Sequence, residues 1–144
     1  MAILDKSKRP YISDRDTNIF IGLDMPLRKS SGKEGWFAST STTIEAVKNN
    51  IRNLIQTHQG ERLMQPKLGM NLRKYLFQPF DEEVGFGIQQ DIVDTFGRWL
   101  PFVSIRDIEV DMPDNNILNI NIIFSISQDP SQLESVSVTI TEGE

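Results

Sequence analysis

One alternating stretch decides the fold of this chain, Leu118-Asn-Ile-Asn-Ile-Ile-Phe-Ser-Ile126. Its apolar residues fall at every second position, and most of the residues between them are polar. Because side chains of a β-strand alternate between the two faces of a sheet, this pattern is typical of a strand with one buried face. The stretch therefore predicts an antiparallel sheet with one face on the core.

Two further strands are predicted, one on each side of this stretch. Upstream, the apolar residues change parity between Ile105 and Ile108, which predicts a β-bulge near Arg106-Asp107. A Pro-Asp-Asn-Asn turn signal follows that first strand. Downstream, residues 128–131 predict a second turn, and apolar residues alternate again over Leu133–Thr141. The three strands form a predicted meander.

Two long helices and a short one are predicted before the strands. The first covers Thr43–His58, where Thr42 and Glu45 have capping-box spacing and apolar residues recur with a helical period. A short helix begins after Asn71, its predicted cap, and the second long helix begins near Asp81. Its apolar residues recur at every fourth position from Val84 to Phe96. This order predicts an α+β fold, in which two main helices and a short one pack on a small antiparallel sheet of three or more strands.

Residues 1–36 differ in composition from the rest of the chain. They contain scattered prolines, glycines and mixed charges, and nothing in them repeats with a helical period. We therefore expect an extended N-terminal arm over residues 1–36, with one short strand around Ile19–Leu23, that becomes ordered on a partner. A single compact domain is expected over residues 37–144.

The composition excludes several classes of site. The 144 residues include one histidine and no cysteine, which excludes disulfides, thiol nucleophiles and cysteine-bound zinc. No apolar run is long enough for a membrane span or a secretory signal, so we expect a soluble, intracellular chain.

Charge is distributed unevenly along the chain. Residues 1–76 carry 13 basic and 7 acidic side chains, whereas residues 77–144 carry 2 basic and 13 acidic ones. The acidic half argues against a nucleic-acid surface. The asymmetry is either an ordinary solvated surface or the mark of a subunit whose two ends face different protein neighbours.

Catalytic chemistry has few candidate residues. A glycosidase needs two carboxylates, one of them held protonated in an apolar setting, and no acidic residue of this chain lies in a sugar-binding sequence context. The candidates that fail this test are Glu61, Asp81, Glu82 and Glu83. His58 lies at the end of the first helix, where a cation complements the helix dipole, and no nucleophile elbow accompanies it. We predict no catalytic, cofactor-binding or metal-binding residue.

The last predicted strand is expected to be an edge of the sheet. Val136, Val138 and Ile140 share the face that we expect to be buried. Between Glu134 and Glu142 there is no charged side chain and no proline, the two features that usually protect an edge. Such an edge favours addition of a strand from a partner, and the alternative is a protected edge strand in a monomer.

Several motifs give the chain a family resemblance. A helix that ends in Leu-Ile-Gln-Thr is followed by Gly60-Glu61-Arg62, then by Pro66 and Leu68-Gly69, and a second helix ends just before Pro101. Together with the order of the elements, these motifs resemble the small baseplate wedge proteins of contractile-tailed phages of the T4-like type. The same family includes a component of the type VI secretion baseplate. The resemblance covers about residues 40–141.

The resemblance implies a structural subunit of the tail baseplate that links wedge proteins to the tube-proximal region and initiates the sheath. Its implied partners are larger baseplate wedge proteins, the first-ring sheath subunit, which adds a strand, and tube-proximal baseplate proteins. We expect no nucleic acid or membrane partner and no cofactor, and a location in the virion after synthesis in the host cytoplasm. The candidate partner-binding residues are Gly60, Glu61, Arg62, Pro66, Gly69, Leu100, Pro101 and Phe102, with Val136, Val138 and Ile140 of the edge strand.

Alternatives remain for two of these sites and for the whole chain. Many family members have Glu-Pro-Arg where this chain has Leu100-Pro101-Phe102, so the contact here is either apolar packing on a partner or a core contact. Glu61-Arg62 has the alternative role of an ion pair that braces its loop. The alternative functions are a soluble adaptor or anti-adaptor that binds another protein and, third, a peptidoglycan-degrading tail enzyme.

Overall fold

The computed structural model describes residues 21–30, 36–114, 116–127 and 129–141. Most of the predicted N-terminal arm therefore lies outside the described residues, and its division from a domain over 37–144 stays a prediction. The chain forms two compact units, Met1–Ile51 and Arg52–Glu144, and the boundary between them falls within one helix.

The first unit contains a short antiparallel ribbon. Strand β1 (Gly22–Leu23) pairs with strand β2 (Ser39–Thr40). The side-chain amide of Asn49 donates to the carbonyl oxygen of Leu23 at 3.3 Å, which ties the ribbon to a later part of the same unit. A short strand is thus present at the end of the predicted segment Ile19–Leu23, with a partner strand that composition does not reveal.

Helix α1 (Thr43–Gln56) begins at the predicted cap. The Thr42 hydroxyl oxygen accepts from the Glu45 N–H at 3.3 Å. The apolar stripe that predicts the helix is buried at Val47, Ile51, Leu54 and Ile55. The helix ends two residues earlier than predicted, because the His58 N–H bonds to the Glu61 carboxylate at 3.1 Å.

The short predicted helix is a 3-10 helix, Leu72–Phe77, which buries Leu72 and Leu76. Its predicted cap is wrong, since no side-chain capping bond is made by Asn71. The Asn71 amide donates instead to the side-chain oxygen of Gln59 at 3.3 Å.

Helix α2 (Glu82–Trp99) begins close to the predicted position. The Asp81 carboxylate caps it by accepting from the Val84 N–H at 2.8 Å. Of the apolar residues at every fourth position that predict the helix, Ile88, Ile92 and Phe96 are buried. Leu100 ends it with a backbone bond to the Phe96 carbonyl at 2.8 Å.

The three predicted strands form an antiparallel sheet in the order β3-β4-β5. Their bounds are Val103–Asp114 for β3, Ile117–Ile126 for β4 and Asp129–Thr141 for β5. The core face carries the alternating apolar residues Val103, Ile108, Leu118, Ile120, Ile122, Phe124, Ile126, Val136, Val138 and Ile140. This architecture confirms the predicted α+β fold.

The bulge is at the predicted place, whereas the last strand begins earlier than predicted. Ile105 pairs with Phe124 and Asp107 with Ile123, so Arg106 is the extra residue. Of the predicted turn over residues 128–131, Gln128 lies outside the described residues, and the other three belong to β5, which already begins at Asp129, so for them the turn prediction is wrong. A proline near the start of an edge strand is tolerated because its missing N–H costs no ladder bond on the open side.

Candidate interaction surfaces

The Gly-x-Arg motif lies in a braced loop, residues 57–70, that joins α1 to the 3-10 helix. The Met70 N–H bonds to the Thr57 carbonyl at 2.8 Å, and the Gly60 N–H bonds to the Pro66 carbonyl at 2.8 Å. Gly69 has a φ of +106°, and a Cβ there would lie 2.2 Å from the Thr57 carbonyl oxygen. These glycines and the proline therefore set the shape of the loop.

Glu61 and Arg62 brace the loop by separate hydrogen bonds. The Glu61 carboxylate accepts from the His58 N–H at 3.1 Å, and the Arg62 guanidinium donates to the Asn53 side-chain oxygen at 3.3 Å. Among the described residues, the Glu61–Arg62 ion pair of the alternative interpretation is not formed. The charged motif holds the end of α1 to the loop that follows it.

Sequence reasoning missed the two residues that this loop exposes most. The side chain of Leu63 is 96% exposed and that of Met64 is 93% exposed. The Gln65 N–H bonds to the Arg62 carbonyl at 3.2 Å, so Leu63 and Met64 occupy the two central positions of a closed turn. The signal available in the sequence is an apolar pair between a braced arginine and a proline.

The Leu100-Pro101-Phe102 segment forms the turn from α2 into β3. Leu100 is buried, whereas Pro101 and Phe102 are exposed. The Phe102 carbonyl accepts from both the N–H and the hydroxyl of Ser127, at 2.9 and 3.0 Å. One residue of the triplet is therefore a core contact, and only Pro101 and Phe102 face outward.

The loop and the end of α2 meet in a shallow groove. Pro66 and Lys67 of the loop line it together with Arg98 and Trp99 of the helix. The structure thus brings Pro66 of the loop close to the last turn of α2. The β5 candidates belong to another part of the unit, on the sheet.

A polar cluster fastens the 3-10 helix to α2. The Asp91 carboxylate accepts from the Lys74 ammonium at 2.9 Å and from the Tyr75 hydroxyl at 2.8 Å. The bond to Asp91 raises the pKa of Lys74, and burial together with the same carboxylate raises the pKa of Tyr75. This cluster is a structural tie, because each of its polar groups is used within the unit.

The described residues place β5 at one edge of the sheet, as the sequence predicts. Val136, Val138 and Ile140 lie in the core, so their side chains are not exposed for a partner. The opposite face carries exposed Ser137 and Thr139, whose hydroxyls donate to Asn121 at 3.2 Å and to Asn119 at 2.9 Å. The part of β5 that remains for a partner is its backbone edge and a flat, uncharged face.

A cavity of about 250 Å³ lies beside the last residues of β5. Its apolar walls come from Ile55 of α1, Leu72 of the 3-10 helix and Ile140 of β5. His58 and Arg73 also line it. A side chain entering beside the end of β5 has room in this cavity.

Among the residues that the structure describes, no helix is both long and apolar enough to cross a membrane. Within the same residues, no three histidine, aspartate or glutamate side chains are grouped so that they could hold a metal ion.

Several solved structures are similar to this chain. A Geobacter sulfurreducens protein provisionally called a tail lysozyme superimposes with a TM-score of 0.60 and 18% identity, over 73% of this chain and 97% of that one. A chain of the anti-feeding prophage baseplate gives a TM-score of 0.55 and 23% identity, over 83% and 82% of the two chains. A chain of the post-contraction pyocin R2 baseplate gives a TM-score of 0.48 and 17% identity, over 81% and 99%. At these identities the likeness to the first two structures is one of fold alone.

The sequence itself matches a known family. No curated protein is significantly similar to the chain. The family model described as baseplate wedge protein gp25, however, matches residues 41–131, which include both long helices, the braced loop and most of the sheet. Because that match spans more than half of the chain, the protein belongs to the family of baseplate wedge protein gp25.

Proposed function

We propose that this protein is a non-enzymatic structural subunit that joins larger wedge proteins to the tube-proximal baseplate and starts the sheath. It does so by accepting a strand of the first-ring sheath subunit on the open edge of β5. In this proposal the protein is made in the host cytoplasm and resides in the virion. One observation carries the proposal: β5 offers an edge with uncharged Ser137 and Thr139 and no bulge beside them.

The geometry of β5 suits strand addition. Val136, Val138 and Ile140 fix the strand to the core, so its backbone is held in an extended form before a partner arrives. Because β5 is already ordered, it loses less conformational entropy when a partner strand binds. The cavity between Ile55, Leu72 and Ile140 gives one side chain of the added strand a place to be buried.

The remaining candidate residues have divided roles in this proposal. Gly60, Pro66 and Gly69 act on a partner only by fixing the shape of the braced loop. Pro101 and Phe102 provide an exposed apolar contact in the turn that follows α2. Leu100 contributes through the core, since its side chain is buried.

A lytic function is disfavoured by how the structure uses two of the candidate acids. The Asp81 carboxylate caps α2, and the Glu61 carboxylate binds the His58 N–H. A general acid for glycoside cleavage must instead hold a proton in an apolar setting close to a second carboxylate. We expect the purified protein to leave peptidoglycan suspensions turbid, and clearing of such a suspension would contradict the assignment.

The strand-addition step is tested by adding charge to the open edge. The double variant Ser137→Lys and Thr139→Lys places two cations on β5, a device that natural edges use against strand addition. Both positions are exposed, so the melting curve should change little, whereas the number of sheaths nucleated per baseplate should fall at least about tenfold.

The matched control is Ser104→Lys, which adds a cation to the exposed face of the other edge strand. It should leave sheath nucleation unchanged. Full-length sheaths on baseplates that contain the β5 double variant would show that β5 does not receive the sheath strand.

A further inference from the structure

We propose that Leu63 and Met64, which we call the loop tip, are the anchor by which this protein grips a neighbouring baseplate protein. The neighbour supplies an apolar pocket with carboxylates on its rim. The inference deepens the proposed function and rests on it for the setting, a baseplate, but it concerns a different surface from the β5 edge. Three features of the loop carry it.

The first feature is the residue type at the turn. Chain reversals favour glycine, proline, asparagine, aspartate and serine at their central positions, because these residues suit the backbone or bond to it. Here Leu63 and Met64 occupy those positions, with exposed fractions of 96% and 93%. Leaving two large apolar side chains in water gains nothing for folding, whereas burying each in a partner is worth a substantial part of an interface.

The second feature is the rigidity of the support. Under the tip, the Gln65 N–H bonds to the Arg62 carbonyl at 3.2 Å and the Leu68 N–H to the Gln65 carbonyl at 3.0 Å. The base is closed by the bond from Gly60 to Pro66 and by the tight approach of Gly69 to Thr57. A tip held in one conformation before binding loses little entropy when it enters a pocket.

The third feature is the charge around the tip. Two cations, Arg62 and Lys67, flank it and are exposed, against the single negative charge of Glu61. The surroundings of the tip are therefore positive, and a complementary pocket has carboxylates on its rim.

A protein pocket fits these features better than a lipid surface. The chain has a net charge of −5, and residues 77–144 carry 13 acidic against 2 basic side chains, which opposes approach to an anionic bilayer. Two adjacent side chains on a narrow turn also match a concave site better than a flat one. The occupant of our proposal is accordingly a different protein of the same baseplate.

The absence of cysteine from the chain allows a direct test. Met64→Cys places a unique thiol on the tip, and Ser104→Cys places one at an exposed position of β3, on no surface proposed for a partner, as the control. Purified baseplates that contain either variant are treated with a maleimide, and labelling is compared with that of the free protein. We expect the thiol at position 64 to react at least about tenfold more slowly in the particle, because thiol reactivity requires access. The thiol at position 104 should keep its free rate.

A cleavable crosslinker on position 64 then identifies the residues in contact. We expect peptides of a different baseplate protein that contain both apolar residues and Asp or Glu. A crosslink to a second copy of this chain overturns the inference, and so does a thiol in the particle that reacts at its free rate. Flotation of the free wild-type protein with vesicles of anionic phospholipid, abolished by Leu63→Gln with Met64→Gln, assigns the tip to membranes and also overturns it.

These outcomes separate the inference from the proposed function. If the variant protein is present in baseplates and its sheaths form, but the thiol stays reactive, only the inference fails. If the wild-type chain is missing from purified baseplates, both fail. As a second measurement, Leu63→Gln with Met64→Gln should lower incorporation into baseplates at least about tenfold while leaving the melting curve intact, since hot-spot residues dominate affinity.

Discussion

The two edges of the β3-β4-β5 sheet are protected to very different degrees. The β3 edge carries the exposed acidic side chains of Asp107, Glu109 and Asp111, a bulge at Arg106 and a proline at 113. β5 has a proline, Pro130, and a register irregularity near its start, but from Ser135 to Thr141 its outward side chains are Ser and Thr and its pairing with β4 is regular. Charge, proline and bulges are the usual means of preventing strands from pairing at an edge.

The backbone of β3 is also covered by its own neighbours. The Ile108 N–H bonds to the Asp107 carboxylate at 2.9 Å, and the Ile108 carbonyl accepts from the Gln89 side chain of α2 at 2.9 Å. Both polar groups of this residue are therefore satisfied without another strand. The comparison indicates how a small sheet directs association. Several features block strand pairing at the β3 edge, and the β5 edge remains as the place where a partner strand can pair.

Removing the bulge should have the largest effect on this difference. Ile105 and Asp107 pair with consecutive residues of β4, so deleting Arg106 gives a regular strand and keeps the apolar residues on both sides facing the core. We expect a folded protein whose β3 edge is straight and which self-associates at least about tenfold more strongly than wild type. Sedimentation velocity over a range of concentrations measures the association.

Two results would contradict this expectation for the deletion. A variant that remains monomeric at every concentration would show that the acidic side chains alone protect β3. A variant that fails to fold would show that the bulge is required by the core rather than by the edge, and circular dichroism separates the two.

Uncovering a single carbonyl should have a smaller effect. Gln89→Ala removes the donor to the Ile108 carbonyl and leaves that acceptor dependent on water. The expected cost is ~1 kcal/mol of the free energy of unfolding, the usual net value of one such bond. Urea denaturation measures it, with Gln90→Ala as the matched control, since the side chain of Gln90 bonds within α2, to Asp94.

Alkaline pH should have the smallest effect, because it acts on a contact remote from both edges. Lys74 and Tyr75 hold their protons more tightly in the folded state than in the unfolded state, since both pKa values are raised. The stability that they contribute is therefore fully present below an unfolded pKa near 10 and is lost as the pH rises through the folded values. The Lys74–Asp91 ion pair is about half exposed, so we expect the loss in the free energy of unfolding to be less than ~1 kcal/mol. It is measured as a lower melting temperature above pH 10.

The control for this titration is Asp91→Asn, which removes the shared carboxylate. Its melting temperature should fall less between pH 9 and pH 11 than that of the wild type, apart from the general alkaline loss that both share. An equal fall in the two proteins would remove the Asp91 cluster as the cause.

The elements that the sequence predicts correctly are those in which the spacing of the apolar residues directly reflects which side chains are buried. The alternation from Leu118 to Ile126 and the fourfold spacing of α2 each record which side chains face the core. The bulge at Arg106 is also predictable. The apolar side chains on both sides of it face the same core, so the alternation must shift by one residue between Ile105 and Ile108. Long-range packing decides such positions, and their periodicity shows it directly.

The errors occur where local chemistry has two solutions. Pro130 is typical of a turn, yet at an open edge it is also compatible with a strand, and the structure takes the strand. Asn71 is a good cap by residue type, but its side chain is used by Gln59. Residue type alone cannot choose between these options, because the choice depends on residues distant in sequence.

The candidate surfaces were less predictable than the fold for a related reason. Glu61 and Arg62 are candidate contact residues because they are charged, but the side chains of both form hydrogen bonds that brace the loop. Leu63 and Met64 have no periodic pattern around them, so nothing in the sequence distinguishes an exposed apolar pair from a buried one. Their exposure becomes evident only when the loop is seen as a closed turn.

The tight approach of Gly69 to Thr57 also bears on how this protein could diverge or be redesigned. At Gly69 any side chain would collide with the backbone, so the frame of the loop tolerates no substitution there. At residues 63 and 64 nothing in the fold restricts the choice, since both side chains stand in solvent. The loop is therefore modular. Changing only residues 63 and 64 can change which partner the loop binds, while the backbone around Gly69 keeps its shape.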